Sequence, residues 1–508
     1  MMTTPPFTRV YNTQSISTDK IPILSIGEFR DAVIQSVREG KILSAFYGMP
    51  LPNHQTRLVS SFANSEEGSI YLTSTDVDKT YSSLTPDCPS AHWFEREIAE
   101  QWGVKPEGHP WLKPIRFQPS YSPGHDAWNR PQNRPIHAGV TDFYRVEGEE
   151  IHEVAVGPVH AGIIEPGHFR FQCFGENVLH LEISLGYQHR GIERRLIGGP
   201  DKRTLHYMET AAGDTTIGHA LASCQIVESL ASAKVPARAQ ALRGIALELE
   251  RLANHIGDLG ALAGDVGFLP TASYCGRLRG EFLNMTALLC GSRLGRGFIR
   301  PGGVGYDLDA ADCEQLLNWI KPAMKDVHNA VNLLWESPSV MARFEETGVI
   351  DQETCRELGL VGVAARACGL ERDIRFEFPT GIYRFGQILV STWNTGDVFA
   401  RAHVRWMEIQ RSADFICGQL ENLPEGDIRA PLSPLAPNQA VVSLTEGWRG
   451  EICHVAFTDF SGRFAHYKIV DPSFHNWMGL ALALRDQPIS DFPLCNKSFN
   501  LSYCGHDL

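Results

Sequence analysis

Apolar positions in this chain repeat in two rhythms that alternate along its length. Leu242, Ile245, Leu249, Leu252, Ile256 and Leu259 recur every three to four residues, the spacing that gathers one face of an α-helix. Pro236 suits the first turn of that helix, and Gly257, Gly260 and Gly264 are expected to weaken its far end. Helical spacing also marks residues 26–42, 309–336 and 389–420, and residues 93–99 read as a short amphipathic helix. Strand-like alternation appears over 55–63 and 69–73, and residues 151–185 form a β-rich region. Pro301-Gly302-Gly303 reads as a turn. Residues 451–457 and 464–470 flank a turn at Phe460-Ser461-Gly462 and predict a hairpin.

This order predicts an α+β protein in three parts. Residues 1–118 are a small N-terminal α+β domain, and residues 151–508 are a mainly α-helical domain with small β-sheets. Between them, residues 119–150 are a linker in which Pro119, Pro123, Pro131 and Pro135 favour extended backbone over a packed core. No internal repeat or low-complexity tract interrupts the pattern.

With 508 residues, 43% hydrophobic and 21% charged, the chain has the composition of an ordinary soluble protein. A net charge of -13 without basic runs excludes nucleic acid as a partner. The polar start and the absence of an apolar run of roughly 18 to 20 residues predict a cytoplasmic chain that meets a membrane only through partners. No two of the twelve cysteines are separated by only two residues, so the commonest thiolate metal motifs are missing. The cysteines read as small buried hydrophobes. Phosphate-loop, nucleophile-elbow and His-Glu-x-x-His signatures are also absent, and Gly302, Gly303 and Gly305 are spaced too weakly for dinucleotide binding.

Ordered segments then carry a resemblance. They are Gly157-Pro158-Val159-His160, Leu185-Gly186-Tyr187-Gln188-His189-Arg190-Gly191-Ile192-Glu193, Val235-Pro236-Ala237-Arg238, Glu248-Leu249-Glu250-Arg251-Leu252-Ala253-Asn254-His255, Arg300-Pro301-Gly302-Gly303-Val304, Gly396-Asp397-Val398-Phe399-Ala400-Arg401 and Asp471-Pro472-Ser473-Phe474-His475-Asn476-Trp477. Together they resemble the large subunits of energy-converting nickel-iron hydrogenases and the homologous quinone-site subunit of respiratory complex I. Phe94-Glu95-Arg96-Glu97-Ile98-Ala99-Glu100-Gln101-Trp102-Gly103-Val104, followed by Glu107-Gly108-His109-Pro110, is similar to the small complex I subunit that packs beside it. The fusion resembles hydrogenase-4 and formate-hydrogenlyase large subunits. The resemblance implies an iron-sulfur small subunit and antiporter-like integral membrane subunits as partners, a place on the cytoplasmic face of the inner membrane, and electron transfer coupled to ion movement.

The departure from that family lies in its metal ligands. The four thiolate positions fall on Ala212, Thr215, Ser502 and Gly505, while His219 still matches the family histidine after the early pair. Alanine and glycine supply no ligand and hydroxyls are poor substitutes for thiolates, so no standard nickel-iron centre and no cofactor bound by this chain are expected. Cys495 and Cys504 are the only thiols near enough in sequence to rescue a site. Complex I also lacks these cysteines and uses the cavity for quinone. Here Ile164 replaces its second histidine, and Asp214-Thr215 its Asp-Tyr pair.

His160, Asp214 and His219 are therefore the candidate catalytic residues, with Thr215, Asp471, His475 and Ser502 expected in the same cavity. His189, Arg190 and Glu193 are placed by the resemblance near the partner's iron-sulfur cluster. Glu446, Arg449 and Glu451 match a family segment near the cavity. Three readings remain open: an ion-coupling oxidoreductase subunit without nickel, a quinone-reducing subunit, and a non-catalytic scaffold.

Overall fold

The computed structural model describes residues 6–52, 55–131, 135–160 and 164–508. Near the N-terminus, β1 (Thr8–Val10) and β2 (Ser15–Ser17) precede α1 (Ile26–Arg38), which opens on a capping box between Ser25 and Glu28. This helix stops four residues short of the expectation because Ile42 begins a strand. β3 (Ile42–Pro50), β4 (Thr56–Asn64) and β5 (Ser69–Val77) form an antiparallel meander, with β1 on the far side of β5 and a short parallel strand, Ile23–Leu24, also against β5. β3 escaped the alternation test because it is buried over most of its length.

α2 (His92–Trp102) corrects the expected amphipathic helix: all eleven residues are buried. Its carboxylates face protein. Glu95 accepts from the Leu84 and Thr85 amides, Glu100 from those of Ile115, Arg116 and Gln118, and Glu97 pairs with Lys468 at 2.6 Å and with Arg116. A charged pattern can thus be wholly internal when each charge finds a partner.

β6 (Ile151–Val156), β7 (His168–Phe174) and β8 (Asn177–Ser184) make an antiparallel three-stranded sheet. The helical body follows: α3 (Thr216–Leu230), α4 (Ala237–Asp265), α5 (Leu269–Cys290), α6 (Ala310–Trp335) and α7 (Val398–Glu421). Pro236 is the extended residue before α4 rather than its first helical one. The glycines do not end α4. A Cβ on Gly257 would lie 2.7 Å from Arg279 Cδ, and one on Gly260 2.7 Å from Cys275 Cβ, so they admit α5 at close range. Residues 389–397 are not helical; α7 starts at Val398, capped by Asp397.

The C-terminal sheet holds β9 (Gln439–Gly447), β10 (Gly450–Thr458) and β11 (Phe464–Val470), the last two forming the expected hairpin. β9 was not foreseen; it too is buried almost throughout. Its free edge takes β2 from the N-terminus, with Ile16 opposite Ala440. α8 (Pro472–Ala483), α9 (Phe492–Phe499) and α10 (Tyr503–Asp507) complete the chain. The principal hydrophobic core runs from Val10 through α4 to Tyr503.

Candidate functional site

Three chain turns converge where α3, β10 and the C-terminus meet. The first is the loop 209–215 before α3, which carries Ala212, Asp214 and Thr215. The second is the tight β9–β10 connection, which carries Trp448 and Arg449. The third is the stretch between α9 and α10, which carries Asn500 to Ser502. Arg449 joins them: its guanidinium donates to both Asp214 carboxylate oxygens at 2.5 and 2.8 Å, to Thr215 Oγ1 at 3.3 Å and to the Asn500 carbonyl at 2.5 Å. Two parallel N–H bonds to one carboxylate fix its direction as well as its charge.

A cavity of about 630 Å³ opens beside this pair. His160, Asp214, Arg449 and Tyr503 supply polar surface, while Phe169 and Phe492 supply apolar wall. That size and mixture suit a small organic ligand. His160 is set by a 2.9 Å contact from Nε2 to the Gly167 carbonyl, and Glu165 accepts from the Tyr503 amide at 3.0 Å. Burial pushes the Tyr503 phenol up to about 12.

Of the expected cavity residues, His160 and Asp214 line it. The others correct the expectation, since His219, Thr215, Asp471, His475 and Ser502 are fully buried and none forms its wall. His219 is held between His454 and Asp471, at 3.0 Å from each. Asp471 caps α8 through the Ser473 amide, and His475 lies edge-on to Phe94. Burial brings His475 down to about 4, so it is neutral. Of the Glu446, Arg449 and Glu451 segment only Arg449 reaches the cavity. Glu446 turns to Arg366 at 2.8 Å and Glu451 to Arg372 at 3.2 Å.

His189, Arg190 and Glu193 lie together but face three ways. His189 Nδ1 meets the Asp507 carbonyl at 2.8 Å, and Arg190 donates to the carbonyls of Thr210, Ala211 and Cys504. Glu193 is turned inward to Lys468 at 2.9 Å and accepts from the Ile469 amide. Burial opposes its charge, but Lys468 and Arg116 hold its carboxyl down to about 2.

The four family ligand positions do not fit a thiolate-held metal. Ala212 is buried without a donor atom, and Thr215 Oγ1 accepts from Arg449. Ser502 Oγ accepts from the Gly505 amide, and a Cβ on Gly505 would lie 2.6 Å from the Asp471 carboxylate carbon. Charged protein groups thus occupy the space that ligands would need. Burial pushes the Cys495 and Cys504 thiols up to about 12, which keeps them neutral, and Cys495 packs against Gly348 and Arg401 instead. Among the described residues, no group of three or more His, Cys, Asp or Glu is placed to hold a metal ion.

Sequence reasoning missed Tyr503, His454 and Tyr467. Nothing local in the sequence joins Glu165 to Tyr503, more than three hundred residues away.

Comparison with known proteins agrees with this architecture. Residues 32–133 match the family model described as respiratory-chain NADH dehydrogenase, 30 Kd subunit, and residues 265–439 that of the 49 Kd subunit. The carbon monoxide-induced hydrogenase of Rhodospirillum rubrum is 31% identical over 350 residues, covering 68% of this chain and 96% of that one. Formate hydrogenlyase subunit 5 of Escherichia coli is 29% identical over 435 residues, 83% of this chain and 76% of that one. An NADH-quinone oxidoreductase subunit from Thermus thermophilus is 29% identical over 369 residues, 67% of this chain and 90% of that one. Fold and matches together define a subunit of a multi-component oxidoreductase. The chain belongs to the superfamily that unites energy-converting nickel-iron hydrogenase large subunits with the 49 Kd subunits of respiratory-chain NADH dehydrogenase, here with a 30 Kd-type module fused in front. No helix among the described residues is long and apolar enough to cross a membrane.

Proposed function

We propose that this chain is the peripheral subunit of a complex I-like, hydrogenase-related assembly that couples electron transfer to ion translocation without a nickel-iron centre, and that the cavity beside Asp214 and Arg449 receives a quinone head group. Convergence of His160, Arg449 and Tyr503 on an aromatic-walled cavity, next to four ligand positions without thiolates, carries this reading. A quinone ring stacks on apolar walls and presents two carbonyl oxygens. Arg449, fixed by Asp214, is a cationic donor for one, and the Tyr503 hydroxyl a donor for the other. Two electrons from an iron-sulfur partner docked over His189 and Arg190, with two protons, convert quinone to quinol. Antiporter-like membrane subunits would use the accompanying rearrangement, and membrane contact would come through those partners on the cytoplasmic face.

The test uses the purified complex, a photoreactive quinone, metal analysis and hydrogen-deuterium exchange. Labelling of peptides around residues 160–171 or 493–503, competed by plain quinone, with nickel at background, is the expected result. Stoichiometric nickel with exchange activity would overturn the reading and return attention to Cys495 and Cys504.

A further inference from the structure

Behind the cavity, three hydrogen bonds join four buried side chains in a row. Tyr467 Oη lies 3.0 Å from His454 Nδ1, His454 Nε2 lies 3.0 Å from His219 Nδ1, and His219 Nε2 lies 3.0 Å from Asp471 Oδ2. None of the four side chains is more than 1% exposed. The chemistry of the ends fixes the order of protons between them. A carboxylate only accepts, so His219 donates through Nε2–H, and its Nδ1 then accepts from His454 Nε2–H. His454 Nδ1 is left as an acceptor for the Tyr467 hydroxyl, whose oxygen is also hydrogen-bonded to Ser223. Burial and the adjacent His219 hold His454 well below its ordinary value, so this ring is neutral and has one N–H to give. Every donor in the row points toward Asp471.

The two ends lie against different surroundings. Asp471 lies against Gly505, one of the vacated ligand positions, and its charge helps keep Arg449 of the first cavity protonated. Tyr467 is part of the wall of a second cavity of about 520 Å³, together with Trp102, Tyr121, Glu193 and His466. A purely structural buried pair needs one hydrogen bond per polar atom. A directed file of two imidazoles between a phenol and a carboxylate is the arrangement a proton needs to cross a dry interior.

We propose that Tyr467, His454, His219 and Asp471 form a proton relay from the second cavity to the acceptor site of the first. This rests on the first cavity's being that site. In one passage the Tyr467 O–H bond breaks as His454 Nδ1–H forms, His454 Nε2–H breaks as His219 Nδ1–H forms, and His219 Nε2–H breaks as Asp471 Oδ2–H forms. A solvent proton from the second cavity restores the phenol, and Asp471 releases its proton toward the reduced acceptor. The net change is one proton moved, with each ring left in its other tautomer. The four are relay residues and touch no substrate.

The test compares the assembled complex carrying wild-type chain, Tyr467→Phe or His454→Gln. Tyr467→Phe keeps the ring that packs on Phe464 at 5.1 Å and removes only the proton donor. Quinol formation is expected to slow about 10²-fold in it, with a larger solvent deuterium effect than wild type. Histidine-selective 15N labelling, with His454→Gln to assign the signals, is expected to find both His219 and His454 protonated at Nε2 in the resting complex. Tyr467→Phe turning over at the wild-type rate with an unchanged deuterium effect, or either ring protonated at Nδ1 at rest, would overturn the relay. Should wild-type complex form no quinol at all, the acceptor reading fails instead, and the nitrogen signals alone decide the relay.

Discussion

Glu248 and Glu250 stand two residues apart on α4, both buried, and their surroundings drive them in opposite directions. Burial alone would raise either carboxyl. Glu248 meets Arg251 and Arg375, each at 3.0 Å, and the hydroxyls of Ser412 and Tyr383, which together bring it down to about 2. Glu250, on another face of the helix, receives only the Ile217 and Gly218 amides at the start of α3 and has Asp214 as a charged neighbour. Burial prevails there and pushes it up to about 8. One face belongs to a closed ion network with Arg366, Asp373, Glu408 and Glu446, in which each charge has an opposite partner. The other belongs to the vacated centre, where Asp214 remains one-third exposed to the cavity. Matched buried charge holds the fold, while unmatched or cavity-facing charge is available for chemistry.

The contrast breaks most severely on the network side. Arg375→Met would strip Glu248 and Asp373 of their shared cation, and removing one partner of a buried pair costs about 3–5 kcal/mol. Loss of most soluble chain, or a large drop in urea midpoint, is expected. A variant as stable as wild type would mean the network is dispensable. The next effect sharpens the other side. Folding keeps a proton on Glu250 between its ordinary 4.5 and about 8, so the unfolded chain binds fewer protons and stability contributed by this group falls as pH rises through that window. Glu248 has the reverse sign: its contribution is present above 4.5 and lost as pH falls toward 2. Urea titrations at several pH values should find the decline between 4.5 and 8 flattened in Glu250→Gln, and an unchanged slope would place that proton elsewhere.

Which of these faces could be read in advance follows from the range of the interactions. The helical body was legible because a three-to-four residue apolar rhythm is local, and the hairpin at 450–470 because its turn is. β3 and β9 were not, since strands buried on both sides lose their alternation. Residues 92–102 misled because a sequence cannot say whether a carboxylate meets water or three backbone amides. At the site, the missing thiolates and the presence of His160 and Asp214 in the cavity wall were visible residue by residue. The inward turn of His219 was not, because His454 and Asp471, which hold it, lie over two hundred positions away.

Smaller effects probe the vacated centre itself. Gly505→Ala would place a methyl group 2.6 to 2.9 Å from the Asp471 carboxylate, an overpacking of the kind that costs about 1–3 kcal/mol. The loss should appear as a lowered midpoint that Asp471→Ala partly restores. Additive losses would show that the two positions do not press on each other. For the same reason, cysteines introduced together at 212, 215, 502 and 505 should leave nickel content at background unless Asp471 moves.

The smallest change in stability should come with a clear change in function. Asp214→Asn keeps the shape of the side chain and one acceptor oxygen for Arg449 but removes the charge. Because Asp214 is partly solvated, the lost ion pair is expected to cost no more than about 1 kcal/mol. Arg449 would keep its bonds to Thr215 and the Asn500 carbonyl, yet lose the second parallel bond that aims its guanidinium along the cavity wall. Quinone labelling should therefore weaken by about tenfold while the urea midpoint hardly moves, each tenfold being about 1.4 kcal/mol of binding. Equal labelling in Asp214→Asn would mean that Arg449 needs no aiming and that the pair is structural like those around Glu248. A large loss of stability would mean that the cavity side of α4 is as closed as the network side.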